Sequence, residues 1–174
     1  MKTLETIQKV FNVFRIITII ASIICTVAAV LSGLGALCAA VQYHGGTVLH
    51  IFGEPFDLFA DGTDLLQKYV YLLSVTFMLI AEAILLKLTH SYLKSERADG
   101  TPFTYNGAER LKKLGVRFIW IPIVAIAVSD AVAAWQGVDV TVANFGGVVT
   151  GIVLILVSVI FRYGAELEKS SGMK

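Results

Sequence analysis

Residues 16–41 read IITIIASIICTVAAVLSGLGALCAAV and contain no Asp, Glu, Lys, Arg or His. As an α-helix at about 1.5 Å per residue the stretch reaches about 39 Å, whereas the hydrocarbon core of a bilayer is about 30 Å thick. The run therefore reads as a transmembrane helix long enough to tilt. A secretory signal is the competing reading, because Lys2 and Lys9 precede the run and Cys38-Ala39-Ala40 resembles a cleavage site. Signal cores extend over only about 7–15 residues, so the run is expected to be retained as a span.

Three more stretches have the same character: residues 69–88, with Glu82 inside and Lys87 at the end; residues 118–135, with Pro122 and Asp130; and residues 140–161, opening with Asn144 and closing on Arg162. Four buried helices of a water-soluble core would need a polar coat that this chain lacks. It has 174 residues, 56% of them hydrophobic, 16% charged, with a mean hydropathy of +0.77, against about 25% charged in soluble domains. The expected fold is a single all-α membrane domain over residues 1–174, a four-transmembrane-helix bundle. A net charge of +1 gives no reason to expect a nucleic-acid partner, which would need a strong basic excess. Cys25 and Cys38 fall on nearly opposite faces of one helix, which excludes a disulfide between them and leaves them as small packing residues.

Orientation follows from the basic residues. Lys2, Lys9 and Arg15 precede the first span; Lys87, Lys94, Arg97, Arg110, Lys112, Lys113 and Arg117 lie between the second and third; Arg162, Lys169 and Lys174 follow the fourth. Lys68 alone falls on the other side, where residues 42–68 carry Glu54, Asp57, Asp61 and Asp64. Both termini and the middle loop are expected in the cytoplasm, and the protein in the cell (inner) membrane. Leu4, Ile7, Phe11 and Phe14 at helical spacing suggest an interfacial lead-in to the first span. In the outer loop, residues 48–52 and 56–59 flank Gly53-Glu54-Pro55 as a short hairpin would, and Asp61 or Thr63 is placed to cap the second span.

Between the second and third spans, Asn106 and Glu109 have capping-box spacing, and Leu111, Leu114 and Phe118 form an apolar stripe opposite a basic one. A short amphipathic cytoplasmic helix is expected there, feeding the third span. Gly100, Pro102, Phe103, Asn106, Leu111 and Gly115, within a four-span plan, resemble a bacterial family of small membrane proteins of unknown function. Genes of that family are often found beside a small helix-turn-helix regulator, and the resemblance implies a membrane component of a regulatory unit. It supplies no catalytic residues.

Three sets of residues are candidates for function. Phe103, Arg110, Lys112 and Lys113 form the candidate docking surface for a cytoplasmic protein or anionic lipid. Glu82, Asp130 and Asn144 are polar groups inside spans, where an ionisable side chain costs at least about 2.5 kcal/mol at the centre. The plain expectation is that Asp130, among Ala127, Ala131, Ala133 and Ala134, is buried and hydrogen-bonded to Asn144. An ion or proton site is the alternative. His44, His50, Glu54 and Asp57 are metal-ligand types at spacings that match no metal template, so no metal is expected. No nucleophile–base pair or phosphate loop is present, so no catalysis and no cofactor are expected. Small residues at Ala28, Ser32, Ala36 and Ala40, and at Gly147 and Gly151, recur every four positions, as close helix packing in lipid requires.

The function expected from these features is that of a sensor, regulator or accessory subunit acting through protein partners in the bilayer. The alternative is an oligomeric channel or a proton- or ion-coupled transporter using Glu82 and Asp130. A single four-helix bundle has little room for a pore, so that alternative needs several copies, a homo-oligomer.

Because 13 of the 14 Lys and Arg residues (14 less Lys68) fall on one side, single-cysteine variants Asp61→Cys and Lys174→Cys, in a background lacking Cys25 and Cys38, should label from opposite sides of intact cells. Labelling of both from outside would reject this topology.

Overall fold

The computed structural model describes residues 2–45, 49–51, 54–56, 64–99, 104–139 and 146–170. Its described residues contain four long helices: α1 (Lys2–Tyr43), α2 (Leu65–Asp99), α3 (Tyr105–Gln136) and α4 (Gly146–Ser170). All four are long and apolar enough to cross a membrane. Two short strands, β1 (Leu49–Ile51) and β2 (Glu54–Phe56), pair antiparallel with Leu49 opposite Phe56. The expected hairpin thus forms, but Glu54 and Pro55 lie in its second strand rather than in its turn.

Helix ends follow local chemistry. Asp64 caps α2, its Oδ1 accepting from the Gln67 N–H at 3.1 Å; Asp61 and Thr63, the residues expected in that role, lie outside the described residues. Thr104 caps α3, its Oγ1 accepting from the Gly107 N–H at 2.9 Å. This cap lies two positions before Asn106, which the capping-box spacing favoured. At the other end of α3, Gly137 adopts a φ of 67°. The Val138 N–H reaches Ala133 O at 3.0 Å and the Gly137 N–H reaches Ala134 O at 3.2 Å, the paired bonds of a Schellman stop.

α1 and α3 are each unbroken. The expected lead-in before residue 16 and the expected separate helix before residue 118 are therefore the first turns of longer helices. No proline interrupts either segment, and the glycines at 107 and 115 weaken a helix without ending it. α4 begins at Gly146; the residues from 140 to 145, which include Asn144, are outside the described residues.

The chain divides into two compact units. The first takes Met1–Ile24, Glu82–Ile123 and Asn144–Lys174. Within it the Ser22 hydroxyl of α1 donates to Ala83 O of α2 at 3.4 Å, and α3 meets α4 across glycines. A Cβ placed on Gly115 would lie 2.8 Å from Gly151 O, and one on Gly151 would lie 2.7 Å from Gly115 O. A Cβ on Gly147 would lie 2.8 Å from the Pro122 ring. The second unit takes Cys25–Ala81 and Val124–Ala143. There Ser32 of α1 donates to Leu72 O of α2 at 2.9 Å, and Ala29, Ala36 and Ala39 are buried. Of the α1 stripe, Ala36 is buried and Ala28, Ser32 and Ala40 are half-buried, while Gly147 and Gly151 of α4 both lie against α3.

Substitution at Gly151 therefore overpacks a contact with backbone on the far side, which cannot yield as a side chain can. Gly151→Leu should lower the melting temperature in detergent, at a cost of about 1–3 kcal/mol. Gly33→Ala, whose new Cβ would meet only the Thr76 side chain at an ordinary 3.6 Å, should leave it unchanged or raise it. The reverse order in thermal melts would place the Gly151 face in lipid.

Candidate functional site

The polar chemistry of the first unit concentrates where α2 ends and α3 begins. The stripe of buried residues on α2 includes Leu85 and Leu93 and reaches a carboxylate, Glu96, whose side chain is fully buried. Glu96 sits against the first turn of α3. A Cβ on Gly107 would lie 2.8 Å from Glu96 Oε2 and 3.1 Å from its Oε1, so only glycine lets the carboxylate approach this closely. The N-terminal turn of a helix carries the positive end of its dipole, a favourable place for an anion. Arg110, one turn further along α3, adds a full positive charge: its Nη1 lies 4.0 Å from Glu96 Oε1 and donates to Ser95 Oγ at 2.6 Å.

Two clefts flank this part of α3. One, of about 240 Å³, is lined by Ser91, Tyr92 and Ser95 of α2 and by Arg110, Lys113 and Arg117 of α3, over Leu88 and Leu114. The other, of about 340 Å³, lies between α3 and α4, where Tyr105 and Lys112 face Ser158 and Arg162. The Arg162 guanidinium stacks 5.2 Å above the Tyr105 ring and pairs with Glu166 at 3.3 Å.

The structure accordingly separates residues that the sequence grouped. Arg110 and Lys113 share the first cleft, and Lys112 lines the second. Phe103 is outside the described residues, as is Asn144. Glu82 is half-buried, and Asp130 is exposed rather than buried. The burial on that stretch of α3 goes to Ser129 and Ala133 instead, which turns Asp130 outward together with Ala127, Ala131 and Ala134. Asp130 makes no hydrogen bond or ion pair among the described residues. Neither it nor Glu82 lines the two clefts above or a third, of about 220 Å³, formed by Ala40, Tyr43, His44, Leu66, Tyr69 and Gln136. Among the described residues no three His, Cys, Asp or Glu side chains cluster as metal ligands do.

Glu96 is not among the candidate residues read from the sequence. The signal was present: Leu85, Thr89, Leu93 and Glu96 keep helical spacing past the end of the apolar run. No protein-family model, curated protein or solved structure matches the chain. Of the six residues that carry the family resemblance, Leu111 and Gly115 are buried while Asn106 is exposed. Gly115 is held by the α4 backbone.

Removing the carboxylate takes the anion from the α3 first turn and the charged neighbour from Arg110. Glu96→Ala should lower the apparent melting temperature in detergent, by a cost of about 1–3 kcal/mol. A melt identical to wild type would mean that the carboxylate contributes nothing to joining α2 and α3.

Proposed function

We propose that this chain is a multi-pass protein of the cell membrane, with both termini and the α2–α3 connection in the cytoplasm, acting through a protein partner in the bilayer. Its role is that of a sensor, regulator or accessory subunit, without catalysis of its own. The observation that carries this reading is the outward-facing Asp130. It lies within a helix long and apolar enough to span, five residues, or about 7.5 Å of helix, before Trp135, which is 87% exposed. Tryptophan at that position favours the interface, so Asp130 falls inside the hydrocarbon edge.

A carboxylate there is costly when it faces lipid. The chain's own described residues leave it uncovered, and the alanines around it present a smooth strip on which another helix can approach closely. A partner helix with a basic or hydrogen-bonding side chain at that depth would satisfy both features. The family resemblance, through its neighbouring regulator genes, points the same way. A transport path would instead be supported by Glu82 and Asp130 facing a shared cavity.

Asp130→Leu removes an exposed charge and leaves no cavity behind, so it should leave the melting temperature unchanged or raised. Photo-cross-linking from position 131 in native membranes should give a discrete adduct in wild type that Asp130→Leu loses. An adduct that survives the substitution would reject the role of the carboxylate. A proton flux in reconstituted vesicles that Asp130→Asn abolishes would favour transport.

A further inference from the structure

We propose that the cleft between α2 and α3 in the first unit is a headgroup site for an anionic phospholipid. This inference rests on the membrane placement proposed above but not on the partner, because it uses residues other than Asp130. At about 100° per residue, Arg110, Lys113 and Arg117 fall within about 60° of one another on α3, and all three line the cleft opposite the hydroxyl-bearing Ser91, Tyr92 and Ser95. No Asp or Glu is part of that lining. Cations that can donate several hydrogen bonds, together with neutral hydroxyl donors, are what a phosphodiester needs.

The cations are not equally committed elsewhere. Arg110 is tied to Ser95 and lies near Glu96, which fixes its guanidinium at the cleft wall. Lys113 pairs with Glu109 at 2.9 Å, but both side chains are more than half exposed, so water and salt weaken that pair. Arg117 is exposed and has no ion pair or hydrogen bond among the described residues. Its charge is available to a ligand.

Position selects a lipid over a free anion. From Arg110 to Arg117 the cleft rises about 10 Å along α3, slightly more than the roughly 5–8 Å of headgroup on each side of the hydrocarbon. Arg117 stands at the start of the apolar stretch, and Trp120, one turn deeper, is 62% exposed, as an aromatic residue at an interface is. Leu88 and Leu114 give the cleft an apolar floor. A glycerol backbone can rest on that floor while its phosphate meets the cations; a free phosphate gains nothing from it.

Native mass spectrometry on the full-length protein, with phosphatidylglycerol or phosphatidylcholine added to the detergent, tests this. Wild type should retain one phosphatidylglycerol tightly and phosphatidylcholine far less. Arg117→Gln and Lys113→Gln should each weaken the anionic lipid about fivefold, the equivalent of about 1 kcal/mol per basic residue. Lys112→Gln carries the same change in net charge but lines the other cleft, and should leave binding unchanged. Arg117 holds no hydrogen bond or ion pair among the described residues, so its variant should fold, which an unchanged melting temperature would verify. Three results would overturn the proposal: equal retention of the two lipids, equal loss in Lys112→Gln, or displacement of the lipid by millimolar inorganic phosphate. The second would reduce the effect to diffuse charge and the third would assign the cleft to a soluble anion.

Discussion

In hydrocarbon there is no water to be gained by hiding a leucine, so the usual reason for burying large apolar side chains disappears and only close contact holds helices together. The packed faces of α1 and α4, both long and apolar enough to span, fit that constraint, whereas α2 buries Val70 and Leu85. On α1, Ile23, Ile24, Leu31, Leu34 and Leu37 are all more than half exposed, while Ala29, Ala36 and Ala39 are buried. On α4, Val149, Leu156, Val159 and Ile160 face outward, whereas Gly151 is buried against α3 at distances no Cβ would tolerate. A protein folding in water would need the opposite arrangement.

Five described hydroxyls meet the demand that such a solvent would make, although the buried Ser129 Oγ has no hydrogen-bond partner among the described residues. Thr18, Thr76, Thr89, Thr150 and Ser158 each donate to a carbonyl three or four residues earlier in their own helix. Their hydroxyl hydrogens are thereby satisfied without water, which an unpaired polar group in lipid could not be. Two hydroxyls do more. Ser22 and Ser32 reach carbonyls of α2, at Ala83 in the first unit and at Leu72 in the second. In each unit, a small side chain lets α1 approach α2 and then supplies the hydrogen bond that uses the proximity.

The four helices were legible because a membrane span is a property of composition over about 20 residues, and composition is printed in the sequence. The glycine face of α4 was legible too, since spacing by four places Gly147 and Gly151 on one side whatever they touch. Facing direction was harder to read. Asp130 has alanines at 127, 131, 133 and 134, and these occupy more than one side of the helix. Their presence made a small-residue environment but could not say which side met a neighbour, and Ala133 with Ser129 took the inside. Caps were missed by one to three residues because Asp61, Thr63 and Asp64, or Thr104 and Asn106, are all capping types. The choice among them depends on where the first helical turn closes.

The basic residues of α3 show why a charge count and a charge arrangement carry different information. Measured around the helix from Arg110, the buried residues Gly107, Ala108, Leu111, Leu114 and Gly115 occupy an arc from about 40° to about 160°. Lys113, Arg117 and Arg110 lie along one edge of that arc and Lys112 lies just beyond the other. α2 packs along the first edge through Glu96 and Ser95; α4 packs along the second through Gly151 and Ile155. Topology depends only on how many positive charges remain at one end of the spans, and any face of α3 would serve that requirement equally. The partition of those charges between two clefts is therefore unconstrained by orientation. It is set by the packed face, which needs glycine at 107 to admit a carboxylate and glycine at 115 to admit a backbone. Those two positions are eight residues apart, about 80° around α3, and they fix which cations meet the hydroxyls of α2.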